Sequence, residues 1–162
     1  MYDIDFYMKS HKLKQRIDNG EEISKQGAIE LFESYRSESP IIYNIETTNA
    51  CNMRCKMCPR TTKMTRKITF LENEFYENII TQIKPHSEEL WSKWEKFCID
   101  TYGIAPDDTP SENHFFLYII PRVIQLHGYG DPLLDKNLGN VVETLTRHGF
   151  ESYFSCNPAN ID

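Results

Sequence analysis

The chain has 162 residues, 40% hydrophobic and 26% charged, with eight Pro and seven Gly, which are ordinary globular values. They exclude wholesale disorder, collagen-like repeats and coiled coils. The net charge of −6 argues against general nucleic-acid affinity. No apolar run approaches the roughly 18 residues that a membrane span needs, and MYDIDFYMKSHKLKQ has no apolar signal-peptide core. The expectation is a soluble, cytoplasmic protein without membrane or nucleic-acid partners.

In chain order, residues 1–40 read as a helical extension of two helices, 5–17 and 24–35, separated by the turn signal Asn19-Gly20. Ala28, Ile29, Leu31, Phe32 and Tyr35 fall at helical spacing and read as a packing stripe. Ser37-Glu38-Ser39-Pro40 ends the pattern. Residues 41–48 (IIYNIETT) read as a first strand, with Asn44, Glu46 and Thr48 on one side and Tyr43, Ile45 and Thr47 on the other. A cysteine-bearing loop follows, then a helix over about 71–83 ended by Lys84-Pro85.

Residues 86–121 read as an insertion: a helix over 87–100 and a polar loop, APDDTPSEN. Trp91 and Trp94 read as a packing face, and Cys98 as a buried structural thiol. Residues 122–127 (RVIQLH) read as a second strand, ending in Gly128-Tyr129-Gly130-Asp131-Pro132. A helix over about 138–148 is closed by Gly149, and residues 152–155 read as a third strand. Strands alternating with helices predict an α/β fold with a parallel sheet of right-handed βαβ units.

Five cysteines, an odd number in a chain with no secretory signal, argue against a disulfide framework. Three of them, Cys51, Cys55 and Cys58, sit within eight residues as C-x3-C-x2-C directly after the first strand. Three thiolates on one short loop can wrap a compact metal centre. Structural zinc needs a fourth ligand, and none lies close in sequence. A four-iron cluster held by three cysteines keeps one iron open for a further ligand. Around this loop, Arg54, Lys56, Arg60, Lys63, Arg66 and Lys67 occur with no acid among them, while the remaining 12 basic residues stand against 24 acidic ones. The run reads either as a solvated loop or as local attraction for an anionic group.

The segment ETTNACNMRCKMCPR resembles the signature of radical SAM enzymes, with Met57 at the hydrophobic position before the last cysteine. The resemblance implies a partial (β/α)6 barrel and a [4Fe–4S] cluster on Cys51, Cys55 and Cys58. It also implies S-adenosylmethionine (SAM) on the open iron, cleaved to a 5′-deoxyadenosyl radical that abstracts a substrate hydrogen. Gly128-Tyr129-Gly130-Asp131-Pro132-Leu133-Leu134 resembles the family's G-x-G-E-P-L-L segment at the SAM amino group, with Asp131 for the usual Glu. Glycines there would let backbone approach a ligand closely. Ser155, Asn157 and Asn160 resemble the polar residues that hold SAM's ribose and carboxylate. A polar inner face, with Gln125 and His127 on one side of strand two, suits a ligand-filled barrel. His127 and Glu46 each read equally as substrate contacts or as satisfied structural residues.

The implied domain is the first part of such a barrel over 41–162, behind the extension 1–40. Only three strand units are present, so the chain is expected to be truncated after strand three and inactive alone, with an exposed strand edge that favours association. An external electron donor of flavodoxin or ferredoxin type is implied, with an unknown substrate. A peptide is one guess, by analogy with proteins that carry a C-terminal SPASM-type domain. The reading from another class is a non-enzymatic iron–sulfur or zinc-binding module.

Overall fold

A computed structural model describes residues 1–107 and 112–157. The chain forms two compact units. One holds residues 2–41 and 86–121, and the other holds Met1, 42–85 and 122–157, as far as these are described. The stretches read separately as extension and insertion therefore belong to one unit.

That unit is helical. Helix α1 (Ile4–Asp18) is capped by the Asp3 carboxylate, which accepts the Phe6 N–H, and α2 (Lys25–Ser34) by Ser24 through the Gly27 N–H. Its core is Ile4, Met8, Trp91, Trp94 and Cys98, with Tyr7 and Phe97 packed against it. Trp94 is buried, its indole N–H donates to the Leu117 carbonyl at 2.7 Å, and its ring stacks on Phe97 with centroids 5.6 Å apart. The two tryptophans and Cys98 thus pack as expected, and burial pushes the Cys98 thiol up to about 12. The α2 stripe departs from expectation. No α2 residue is buried, Ile29 and Phe32 stay exposed, and Phe32 meets the rest of the unit through Phe6, 6.2 Å away between centroids.

The later half of this unit starts with a helix of 15 residues, Glu88–Tyr102, capped by Ser87 and ended by Gly103 in the left-handed region. Of the expected polar loop 105–113, residues 108–111 lie outside the described residues. Short helical turns follow over Glu112–His114, Phe115–Ile119 and Ile120–Arg122; they take up the end of the expected loop, the apolar run to which the sequence assigns no element, and Arg122, read as the start of the second strand.

The second unit is α/β, with a small parallel sheet. Strand β1 (Val123–Gln125) pairs with β2 (Glu151–Tyr153) in the register Val123 to Glu151 and Gln125 to Tyr153. The connection runs through helix Leu138–Arg147, whose buried Val141, Thr144 and Leu145 form its inner face. That helix packs on helix Asn73–Ile80, which buries Tyr76 and Ile80. Across this pair, Arg147 Nη2 donates to Glu77 Oε1 at 2.9 Å. Gly149, at φ +80°, turns the chain from helix to β2.

The expected first strand, 41–48, is reduced to a single parallel bridge of Asn44 with Gln125. Its bonds are Ile45 N–H to Gln125 O, 2.8 Å, and Gln125 N–H to Tyr43 O, 2.9 Å. Beyond Ile45 the backbone turns to other partners: Thr48 bridges Phe70 antiparallel, and Leu71 N–H donates to Thr47 O at 2.8 Å. The ladder stops because the polar end of the segment is committed to residues 69–71. The described residues thus show a two-stranded parallel sheet flanked by one bridge, and no barrel.

Candidate functional site

The described residues read from the sequence as functional lie in the α/β unit, on and beyond its three parallel segments. The first segment leads into the cysteine loop through Thr48 and Asn49. Asn49 is buried at 2% exposure. Its side-chain carbonyl accepts the Thr69 N–H, and its amide donates to Lys67 O, both at 2.8 Å. Thr48 Oγ1 donates to Thr69 O and accepts the Ala50 N–H. One short stretch of chain thereby clamps the 67–69 turn against the start of the loop. A segment without a ladder must satisfy its backbone groups in this way.

Arg60 closes the loop from its other end. Pro59 opens a five-residue helix, Pro59–Lys63, directly after Cys58. From it the Arg60 guanidinium reaches back to three carbonyls, those of Asn49 (2.9 Å), Cys51 (2.7 Å) and Met53 (3.3 Å). All five cysteines are free thiols. Cys55 is exposed, and Cys51 and Cys58 are half-buried. Cys51 Sγ accepts the Met53 N–H at 3.4 Å, and Cys58 N–H donates to Cys55 O at 3.1 Å. Among the described residues no three His, Cys, Asp or Glu side chains stand close enough together to hold a metal ion. The loop carries its three thiols on an anchored backbone without gathering them. Met57 is 93% exposed.

The second segment brings the glycines, and neighbouring chain packs closely against both of them. Their φ values are not positive, so close approach is what requires them. A Cβ on Gly130 would lie 1.9 Å from the Thr48 carbonyl oxygen, and one on Gly128 2.6 Å from Glu46 Oε1. On the Cβ side of both glycines, then, the chain itself packs closely. Glu46 resolves at the same time as a structural latch. Its Oε1 accepts the Tyr129 N–H at 2.7 Å, and its Oε2 accepts from Arg66 Nη2 at 2.8 Å.

Asp131 joins all three segments. It is 3% exposed, and its N–H donates to Ala50 O at 2.7 Å, one residue before Cys51. Its Oδ1 accepts the Leu133 N–H, and its Oδ2 accepts the Asn157 N–H, both at 3.1 Å. Asn157 Nδ2 in turn reaches Asn52 Oδ1 at 3.5 Å. The cysteine loop, the glycine segment and the end of the third segment thus meet around one carboxylate. Ser155 is exposed, and its N–H donates to His127 Nδ1 at 3.2 Å. Burial lowers the His127 pKa below the ordinary imidazole value, and the Asn44 side-chain amide donates to the His127 carbonyl. Asn160 lies outside the described residues.

Sequence reasoning brings Asp131 and Asn157 to the site but misses Asn49, Arg60 and Arg66 as builders of it. Arg60 and Arg66 belong to the basic run, whose even spread of charge gives no sign that these two face inward. The signal available for Arg60 is its place just after Pro59, in the first turn of a short helix beside the loop it closes.

No family model matches the chain, and no curated protein matches it. One solved structure, that of BtrN in complex with AdoMet and 2-DOIA, is similar over 74% of this chain with 18% identity and a TM-score of 0.44. The chain spans 37% of the length of that protein. Among the described residues no helix is long and apolar enough to cross a membrane.

Proposed function

We propose that the chain carries the cofactor-binding start of a radical SAM catalytic domain. Cys51, Cys55 and Cys58 would hold a [4Fe–4S] cluster, and the backbone around Gly128–Asp131 with Asn157 would line the SAM site. The observation that carries this reading is the convergence at Asp131, which ties the cysteine loop to the glycine segment and to the end of the third segment. The donor chemistry fits. The loop offers three thiols free of disulfides, without a competing carboxylate or imidazole, and one sulfur already accepts a backbone N–H. When bound and reduced, such a cluster supplies the electron that cleaves SAM reductively.

The residues of the chain do the rest by binding and orientation. Arg60 fixes the loop backbone by holding three of its carbonyls, which leaves the thiols as the groups free to turn toward a common centre. Asp131 spends both carboxylate oxygens on backbone N–H groups, so its role is to position the walls. Being one methylene shorter than Glu, it reaches these neighbours instead of extending past them. The substrate and an external one-electron donor remain part of the proposal.

The test is anaerobic reconstitution with iron and sulfide. Wild type should gain broad visible absorbance and a low-temperature EPR signal when reduced, and added SAM should perturb that signal. Replacing any one of Cys51, Cys55 or Cys58 with Ala should abolish the cluster, while Cys98→Ala should keep it. A cluster whose spectrum ignores SAM would identify a passive iron–sulfur module. Stoichiometric zinc with no iron uptake would identify a zinc module. Either result overturns the proposal.

A further inference from the structure

Beside the cysteine loop lies a pocket of about 230 Å³ that shares only Tyr129 with the segment assigned to the cofactor. Its walls come from the short helix after Cys58, from the turn that succeeds it and from the glycine segment, and they include Arg60, Lys63, Arg66, Met64 and the Tyr129 ring. Three of these five side chains are cations. The Arg60 guanidinium is bonded to neutral carbonyls, which leave its charge uncompensated. Lys63 has no acidic partner among the described residues. Arg66 is paired with Glu46, 2.8 Å away. Three cations against one carboxylate leave two formal positive charges.

We propose that this pocket is an anion subsite for the phosphate group of a phosphomonoester substrate. A phosphate ester near neutral pH carries about −1.5 to −2, which matches the uncompensated charge of the lining. Arginine forks suit tetrahedral oxyanions, and charge-assisted bonds of this kind are the strong ones. Tyr129, at 49% exposure, and Met64 supply apolar surface beside the cations, where the organic part of the ester would rest. Glu46 has a dual role here. It holds Arg66 at the pocket wall and, through the Tyr129 N–H, fixes a second lining residue. The pocket therefore gives a substrate class to the reading above and relies on it only for the word substrate; the binding does not need a cluster.

The experiment is calorimetric titration of the metal-free chain with phenyl phosphate. Saturable binding is expected, weakening as salt is raised and by about tenfold in Lys63→Gln. Because Lys63 has no ion pair among the described residues to lose, this variant should fold as wild type does, and circular dichroism checks that it does. Arg66→Gln should weaken binding as well, whereas Lys12→Gln, on α1, should leave it unchanged. No saturable binding, or equal binding by wild type and Lys63→Gln, would overturn the proposal. So would benzoate binding as tightly, which would make the pocket a carboxylate site, or displacement by methionine, which would give it to the cofactor. Since no iron is present, these outcomes are independent of whether the cluster forms.

Discussion

The two units are built from different materials. The helical unit is held by aromatic and aliphatic packing, with Trp94 between Tyr7 and Phe97 and Cys98 fully buried among them. The cysteine-bearing unit has its own apolar interior in Ile124, Leu126 and Leu145, but its working end is held by side chains bonded to backbone. Asn49, Arg60, Glu46 and Asp131 each bind N–H or carbonyl groups of neighbouring segments. Packing fixes helices as whole bodies. Side chain to backbone bonds fix individual peptide groups in a loop, which is what a site made of loop thiols requires.

That difference yields graded predictions. The largest effect belongs to Gly130→Ala. Its Cβ would sit 1.9 Å from a backbone oxygen, and backbone on both sides has to move, so a loss on the order of 4 kcal/mol or more is expected by urea denaturation. The variant should also raise the alkylation rate of the half-buried Cys51, since the displaced stretch, Thr48–Ala50, leads directly into it. A near-wild-type stability would show that the glycine segment is not clamped against this stretch.

Next comes the packed unit. Trp94→Ala removes a side chain 2% exposed, together with its bond to Leu117 O. A cost of about 3–5 kcal/mol is expected, read as loss of helical dichroism at lower urea. A change under about 1 kcal/mol would mean that the aromatic cluster is not what holds this unit.

Arg60→Gln probes the polar strategy itself. It removes the donors to three loop carbonyls at once, two of these bonds being partly buried. The expected cost is about 1–3 kcal/mol, smaller than that of Trp94→Ala because water can replace some of the lost donors. The more telling readout is the thiol alkylation rate of Cys51, which should rise even where global stability changes little. Unchanged reactivity would contradict the role assigned to Arg60.

The legibility of the fold in the sequence divides along the same line. Helices with a repeating apolar face are readable: α1, the Trp91–Cys98 helix and the Gly149-terminated helix all form near the expected bounds, because period and capping are local properties. The first strand is not, since whether residues 46–48 continue a ladder depends on the competing partners Thr69 and Leu71, more than 20 residues away. The joining of chain stretches 2–41 and 86–121 is equally hidden, because no local pattern encodes it. At the site, cysteine spacing and glycine spacing are visible as motifs. What the glycines make room for is not, because Glu46 and the Thr48 carbonyl become their neighbours only in the folded chain.

The smallest expected effect is the most specific to a polar latch. His127 Nδ1 accepts the Ser155 N–H, so the folded state needs this nitrogen unprotonated, and burial adds to that preference by lowering its pKa below 6.5. A group whose folded pKa lies below its unfolded value stabilises the fold fully above the unfolded pKa. That contribution fades as pH falls from about 6.5 through the folded value, because protonated Nδ1 would point its hydrogen at the Ser155 N–H. Bulk melting cannot isolate the effect, since burial also lowers His86 in the helical unit. Residue-resolved NMR can. The His127 ring protons should titrate with a midpoint below 6.5, returning to 6.5 in denaturant, and the Ser155 amide shift should move with the same midpoint. In His127→Asn, whose side-chain oxygen can accept at any pH, that shift should go flat. A His127 midpoint at or above 6.5, or a Ser155 amide indifferent to it, would show that the ends of β1 and β2 are joined by something other than this imidazole.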